Sequence, residues 1–244
     1  ILKKSKFIQE DFDTDKNAII NYYNNIGFRD AKIEGDSVWR DEKGKIHIKV
    51  FVDEGNKFFF RDISWKGNSI YDQEYLERVL GIEKGDVYNK DLLEKRLTFS
   101  LDGRDVSSLY MDDGYLMFRV DPVEKAIEGD SIDIEIRITE GPQVSIDRVI
   151  IKGNDRTNEN VIRREIRTRP GKKFSRSDII RSQRPIIKLG YFNPESLDIQ
   201  TPVNPTRGTV DIEYTVEEKP SDQLELSAGY GGFNGLIGTL GVTF

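Results

Sequence analysis

Ile132-Asp133-Ile134-Glu135-Ile136-Arg137-Ile138-Thr139-Glu140-Gly141 alternates apolar and polar side chains, the period of a strand with one buried and one wet face. The pattern stands at Ile46, Ile48, Val50 and Val52, 86 residues earlier, and again at Val210, Ile212, Tyr214 and Val216, 78 residues later. An acid follows each run, at Glu54, Glu140 and Glu218, and a Gly-aromatic pair precedes each, at Gly27-Phe28, Gly114-Tyr115 and Gly190-Tyr191. The last two copies also share an opening. Arg61-Asp62-Ile63-Ser64-Trp65-Lys66-Gly67-Asn68 matches Asp147-Arg148-Val149-Ile150-Ile151-Lys152-Gly153-Asn154, and Gly85 matches Gly171, all at an offset of 86. Such a period marks a repeat architecture: two full copies, 57–142 and 143–220, preceded by the second half of another, 1–56.

Each full copy reads strand, helix, helix, strand, strand. A first short helix is predicted near 72–80 and 157–168. Asn89 and Ser175 suit the cap of the second, with Tyr88 and Phe174 stapling onto Leu93 and Ile179. Gly114 and Gly190 stand where a helix ends with positive φ. The middle copy's second helix is predicted to be ten residues longer, from the difference between its opening and Gly-aromatic offsets. In the opening strands Phe58 and Phe60 give way to Ile63 and Trp65, and Val144 and Ile146 to Val149 and Ile151; this parity break predicts a bulge or a change of packing partner. The predicted class is α+β, with three-stranded mixed sheets covered by two helices on one face.

The chain has 244 residues, 36% apolar and 33% charged, and mean hydropathy −0.56. Its apolar runs are too short for a spanning helix. No cysteine is present, which removes disulfides, zinc thiolates and thiol nucleophiles. A start at Ile1 suggests a fragment or a mature segment. His47, the one histidine, is expected to be exposed and unpartnered. Asp11, Asp13 and Asp15 open like a calcium loop, but Lys16 and Tyr22 occupy the positions that need Gly and Glu, so an acidic helix start is the better reading. Gly229 to Gly235 lacks the Lys, Ser and helix of a phosphate loop. Asp112-Asp113 reads as a solvated pair. No catalytic residue, metal or cofactor is expected. The net charge of −6 hides an asymmetry, since 161–188 carries +8; the usual nucleic-acid reader motifs are missing, and a nucleic-acid partner is not expected.

The order of "Arg-Asp-Ile-Ser-Trp-Lys-Gly-Asn", "Lys-Gly-Asp-Val-Tyr-Asn", "Asp-Gly-Tyr-Leu" and "Ile-Thr-Glu-Gly" resembles a polypeptide-transport-associated (POTRA) domain. Arrayed copies with "Val-Ile-Arg-Arg-Glu-Ile-Arg", "Leu-Gly-Tyr-Phe" and "Tyr-Thr-Val-Glu-Glu-Lys-Pro", then a Gly-rich alternating tail, resemble outer-membrane protein assembly factors of the BamA type, over the whole chain. The resemblance implies a non-enzymatic scaffold on the periplasmic side of the Gram-negative outer membrane. It would capture unfolded outer-membrane proteins and pass them to an attached β-barrel. The alternative is a two-partner secretion transporter's module with one dedicated secreted partner.

In such a unit the second strand is an edge that can accept a partner's strand. Leu116, Met117, Phe118, Arg119 and Val120 are the predicted client edge, because that run is the most apolar of three; the same apolar run equally suits an edge covered by a neighbouring unit. Arg163, Arg164, Glu165 and Arg167 are the predicted docking face for an accessory assembly lipoprotein or the charged membrane surface, Arg167 sharing a helix face with each of the other two arginines. Residues 221–244 are read as the first strands of a transmembrane β-barrel, with Leu224, Leu226, Ala228 and Tyr230 in one apolar set and Leu236, Leu240, Val242 and Phe244 in the other.

Overall fold

The repeated sequence positions are those where the backbone has least freedom. The computed structural model describes residues 7–100, 102–220, 223–231 and 235–243. These form two compact units, 1–142 and 143–244.

The first unit begins with the half copy: α1 (Gln9–Asn25), β1 (Lys32–Arg40) and β2 (Ile46–Asp53). The strands are antiparallel, with a register shift between Ile33 and Gly35. Asp11, Asp13 and Asp15 all lie within α1, so their backbone cannot wrap a cation. The full copy comprises β3 (Phe59–Lys66), α2 (Gln73–Leu80), α3 (Lys90–Leu97), α4 (Val106–Asp112), β4 (Arg119–Glu128) and β5 (Ser131–Thr139). Its sheet runs β3-β5-β4, with β3 parallel and β4 antiparallel to the central β5. Ile132, Ile134, Ile136 and Ile138 are buried in one core with Phe60, Leu76, Leu80, Leu97 and Tyr110, each such side chain contributing roughly 1.5–3 kcal/mol by leaving water. The parity break is a register shift between Phe60 and Asp62.

Two turn features explain the repeated residues. Gly67 has φ 93°, and a side chain there would run into the carbonyl of Ile138. Glu140 then accepts the N–H groups of Ser69 and Ile70 at 2.7 and 2.9 Å and the Tyr110 hydroxyl at 3.0 Å, so the acid after the strand ties down the free donors of the turn.

The lengthened second helix of the middle copy does not form. Helix α3 is capped by Asn89, as predicted, but stops at Leu97, and α4 starts afresh at Val106. Asp105 is the cause. Its buried carboxylate accepts Ser108 N–H and Ser100 N–H, at 2.8 and 2.9 Å, and the Ser108 hydroxyl at 2.8 Å. A carboxylate thus satisfied caps a new helix rather than extending the old one. Among the described residues three helices accompany this sheet, not two.

The second unit carries β6 (Ser145–Lys152), α5 (Glu159–Arg163), α6 (Arg176–Lys188), a 3₁₀ turn (Pro194–Ser196), β7 (Asp198–Gln200), β8 (Val203–Asn204) and β9 (Thr209–Thr215). The order is β6-β9-β7, with β8 also on β9, and β6 is parallel to β9 with a shift between Ile146 and Val149. Ser175 caps α6. The second strand is broken at Thr201-Pro202, where proline supplies no donor.

After Pro220 come β10 (Gln223–Gly231) and β11 (Gly235–Thr243), an antiparallel pair with Leu224 opposite Val242, Leu226 opposite Leu240 and Ala228 opposite Gly238. The alternating positions are therefore in phase. Leu226 is 75% and Leu240 64% exposed. Phe244 and part of the Gly-rich turn, Gly232 to Asn234, lie outside the described residues, as does Leu101 in the interrupted helix.

Candidate functional site

A surface that recognises chains by backbone needs a strand edge with free N–H and C=O groups. The outer edge of β3 is closed at its start by its own loop: Tyr88 N–H donates to Phe58, Phe60 N–H to Asp86 and Gly85 N–H to Phe60, at 2.9, 2.9 and 2.7 Å. The same closure recurs in β6, where Phe174 N–H reaches Val144, Ile146 N–H reaches Lys172 and Gly171 N–H reaches Ile146, at 3.1, 2.7 and 2.7 Å. By contrast β4 pairs only with β5 and runs ten residues. It is guarded by Pro122 and by a register shift between Glu124 and Ala126 that leaves Lys125 unpaired, devices that keep an edge from pairing indiscriminately.

Of the predicted client edge only Arg119 and Val120 belong to this strand. Leu116 and Met117 form a turn after Gly114, whose φ is 94°. Phe118 anchors that turn: it is buried, stacks on Tyr110 at 4.2 Å and donates its N–H to Tyr115 at 3.0 Å. An apolar run that reads as a strand is held as a turn because its aromatic is needed in the core.

Sequence reasoning missed a cluster at β4. Arg29 donates to Glu124 through Nε at 3.0 and 3.1 Å and through Nη2 at 2.6 Å, and Tyr88 Oη donates to the same carboxylate at 3.1 Å. Asn25 reaches Asp91 near the start of α3 at 2.9 Å. The half copy is thereby pinned to the full copy. The Arg29 guanidinium holds the Glu124 carboxyl below its ordinary value, against burial, with Tyr88 helping. Burial, then Glu124, pushes the Tyr88 phenol up. No local signal could reveal a pair 95 residues apart.

The predicted docking face also changes. Helix α5 ends at Arg163, so Arg167 shares no helix face with Arg163 or Arg164. Its N–H instead donates to buried Ser182 at 2.9 Å, which turns the chain away from helical geometry. Arg163 pairs with Glu159 and donates to the Val149 carbonyl at 3.2 Å, while Arg164 and Glu165 pair at 3.3 Å. His47 is exposed, as expected, but not unpartnered. Its Nε2 lies 3.0 Å from Asp41 Oδ2 and its ring stacks on Trp39 at 5.5 Å, because the short β1–β2 turn brings Asp41 back beside the strand.

The profile of the POTRA family, described as "Surface antigen variable number repeat", matches residues 1–55, 58–141 and 144–219. The outer membrane protein assembly factor BamA of Neisseria meningitidis is 28% identical over 246 residues, all of this chain and 30% of that protein. That of Nitratidesulfovibrio vulgaris is 30% identical over 234 residues, 93% of this chain and 29% of its own length. The chain thus spans about a third of the length of these relatives. In fold it resembles the crystal structure of Haemophilus influenzae BamA POTRA3-5, with TM-score 0.67 at 21% identity over 89% of this chain and 84% of that one. With three POTRA matches that account for nearly every residue before Pro220, the chain belongs to the POTRA family.

Proposed function

We propose that this chain is the periplasmic POTRA part of a BamA-type assembly factor in the outer membrane. It captures unfolded outer-membrane proteins, partly by strand addition, and passes them to a barrel whose first strands are 221–244. The observation that supports capture is the ten-residue β4 edge, unpaired on its outer side, whereas β3 and β6 are closed at their starts by their own loops. Strand addition there would start from Arg119 and Val120. Leu116 and exposed Met117 would flank the entering strand, on a turn that buried Phe118 holds in place. Arg163, Arg164, Glu165 and Arg167 are proposed to meet an accessory lipoprotein through what their local pairs leave free.

Photo-crosslinkers placed singly at Asp121, Val123 and Lys125 on β4, and at Ser64 on β3, test this with unfolded porin segments. Crosslinks confined to β4, from many unrelated clients, are expected. Equal labelling at Ser64 would remove the edge from the mechanism, and capture of one secreted protein alone would favour a two-partner secretion module.

A further inference from the structure

Several cations of this acidic chain are neutralised where they stand. In the second unit Arg148 lies 2.5 Å from Asp211, Lys152 2.5 Å from Glu213 and Arg207 3.6 Å from Asp147. One helix instead gathers unpaired cations around an exposed apolar side chain. Ser182 and Ile186 are the buried positions of α6, so 180, 181, 184, 187 and 188 fall on its outer side. There Ile180 is 45% exposed, and Arg181, Arg184, Ile187, Lys188 and neighbouring Arg167 line one open groove. Among the described residues, none of these four cations has an ion pair.

We infer that the outer face of α6 docks on an anionic lipid surface. A helix face that combines exposed isoleucine with unpaired Arg and Lys suits the boundary between headgroups and acyl chains, where apolar burial and charge attraction add. The same unit supplies the second argument. Strand β10 starts at Gln223, three residues beyond Pro220, so the chain between them reaches at most about 10 Å, close to the ~8–10 Å over which exposed charges are felt at ordinary salt. If the hairpin enters a bilayer, the last residue of the unit that carries α6 is held close to the headgroups. This tether rests on the barrel reading of 221–244; the charge pattern does not. An acidic amphipathic helix of a partner protein is the competing occupant, and the vesicle test separates the two.

The test is binding of the whole chain to phosphatidylcholine vesicles with and without phosphatidylglycerol, for the wild type and for R181Q/R184Q/K188Q. Glutamine keeps helix propensity, and far-UV circular dichroism checks the fold. Wild type should prefer the anionic vesicles with a steep salt dependence. The triple variant should lose on the order of a hundredfold of that binding, at about fivefold per basic residue, and most of the salt slope. Equal wild-type binding to both vesicles, an unaffected variant, or capture of an acidic helical peptide without any preference for phosphatidylglycerol would each overturn the inference. L226D/L240D separates the barrel reading: if the hairpin is the membrane element, this variant loses binding to neutral vesicles while the anionic preference conferred by α6 persists.

Discussion

Residues 57–142 and 143–220 share their turns almost atom for atom and diverge at their margins. Gly153, like Gly67, leaves no room for a side chain, here against the Val216 carbonyl. Glu218, like Glu140, accepts turn N–H groups, from Thr157 at 2.6 Å and Arg156 at 3.0 Å. Asn154 repeats Asn68, each donating to the carbonyl three residues on, at 2.9 and 3.0 Å. Divergence begins where water can substitute for protein: the middle copy inserts α4 and keeps a ten-residue edge, whereas the last copy breaks its edge at Pro202 and leaves the face of α6 bare. The copies conserve contacts for which the buried backbone has no alternative, and vary where solvent or a partner can take over.

The strongest challenge to that contrast is Gly153→Ala. Positive φ together with a collision against main chain should cost about 3 kcal/mol or more, and Gly67→Ala should cost the same in the other copy. Urea melts of the whole chain should show each loss in its own unit's transition; one shared transition would mean that 1–142 and 143–244 are not independent. Asp105→Ala should come next, at roughly 2 kcal/mol, since the buried Ser108 N–H and the half-buried Ser100 N–H lose their acceptor. It should affect only the first unit, because the last copy has no α4.

Acid should separate the units further. Arg29 lowers Glu124, Arg61 lowers Asp133, and at Glu140 the bonds from Ser69, Ile70 and Tyr110 outweigh a burial that pushes it up. In the second unit Arg148 lowers Asp211 and the Thr157 donors lower Glu218. A carboxyl with a depressed folded pKa contributes stability above its unfolded pKa and loses it as pH falls through the folded value. Melting of 1–142 should thus fall the more steeply below the ordinary carboxyl values of 3.8 to 4.5, which thermal scans from pH 6 to about pH 3 would follow. The smallest effect is expected from Arg29→Gln: about 0.5–1 kcal/mol for a partly exposed pair, with a shallower acid slope in the first unit and none in the second. An unchanged slope would show that Glu124 draws its stabilisation from elsewhere.

The sequence alone determined what depends on near neighbours along the chain. Alternation at 132–138 specified the buried central strand, and Asn89 and Ser175 specified helix starts, because a cap acts within three residues. Signals for the helix break were also present, in Asp102-Gly103 and in Asp105 ahead of α4, but a repeat offset counts inserted residues without saying how they are arranged. Only the tertiary structure decided the fate of Leu116, Met117 and Phe118. A strand and a turn can carry the same apolar letters, and the core's demand for a ring against Tyr110 chose the turn. It also decided where Arg29 and Arg167 point, since each is placed by groups far away in sequence, Glu124 and Ser182. Local rules govern caps, turns and alternation because their partners are covalently close. Edges and charged faces are what remain after packing, and no window of sequence contains the elements that will or will not cover them.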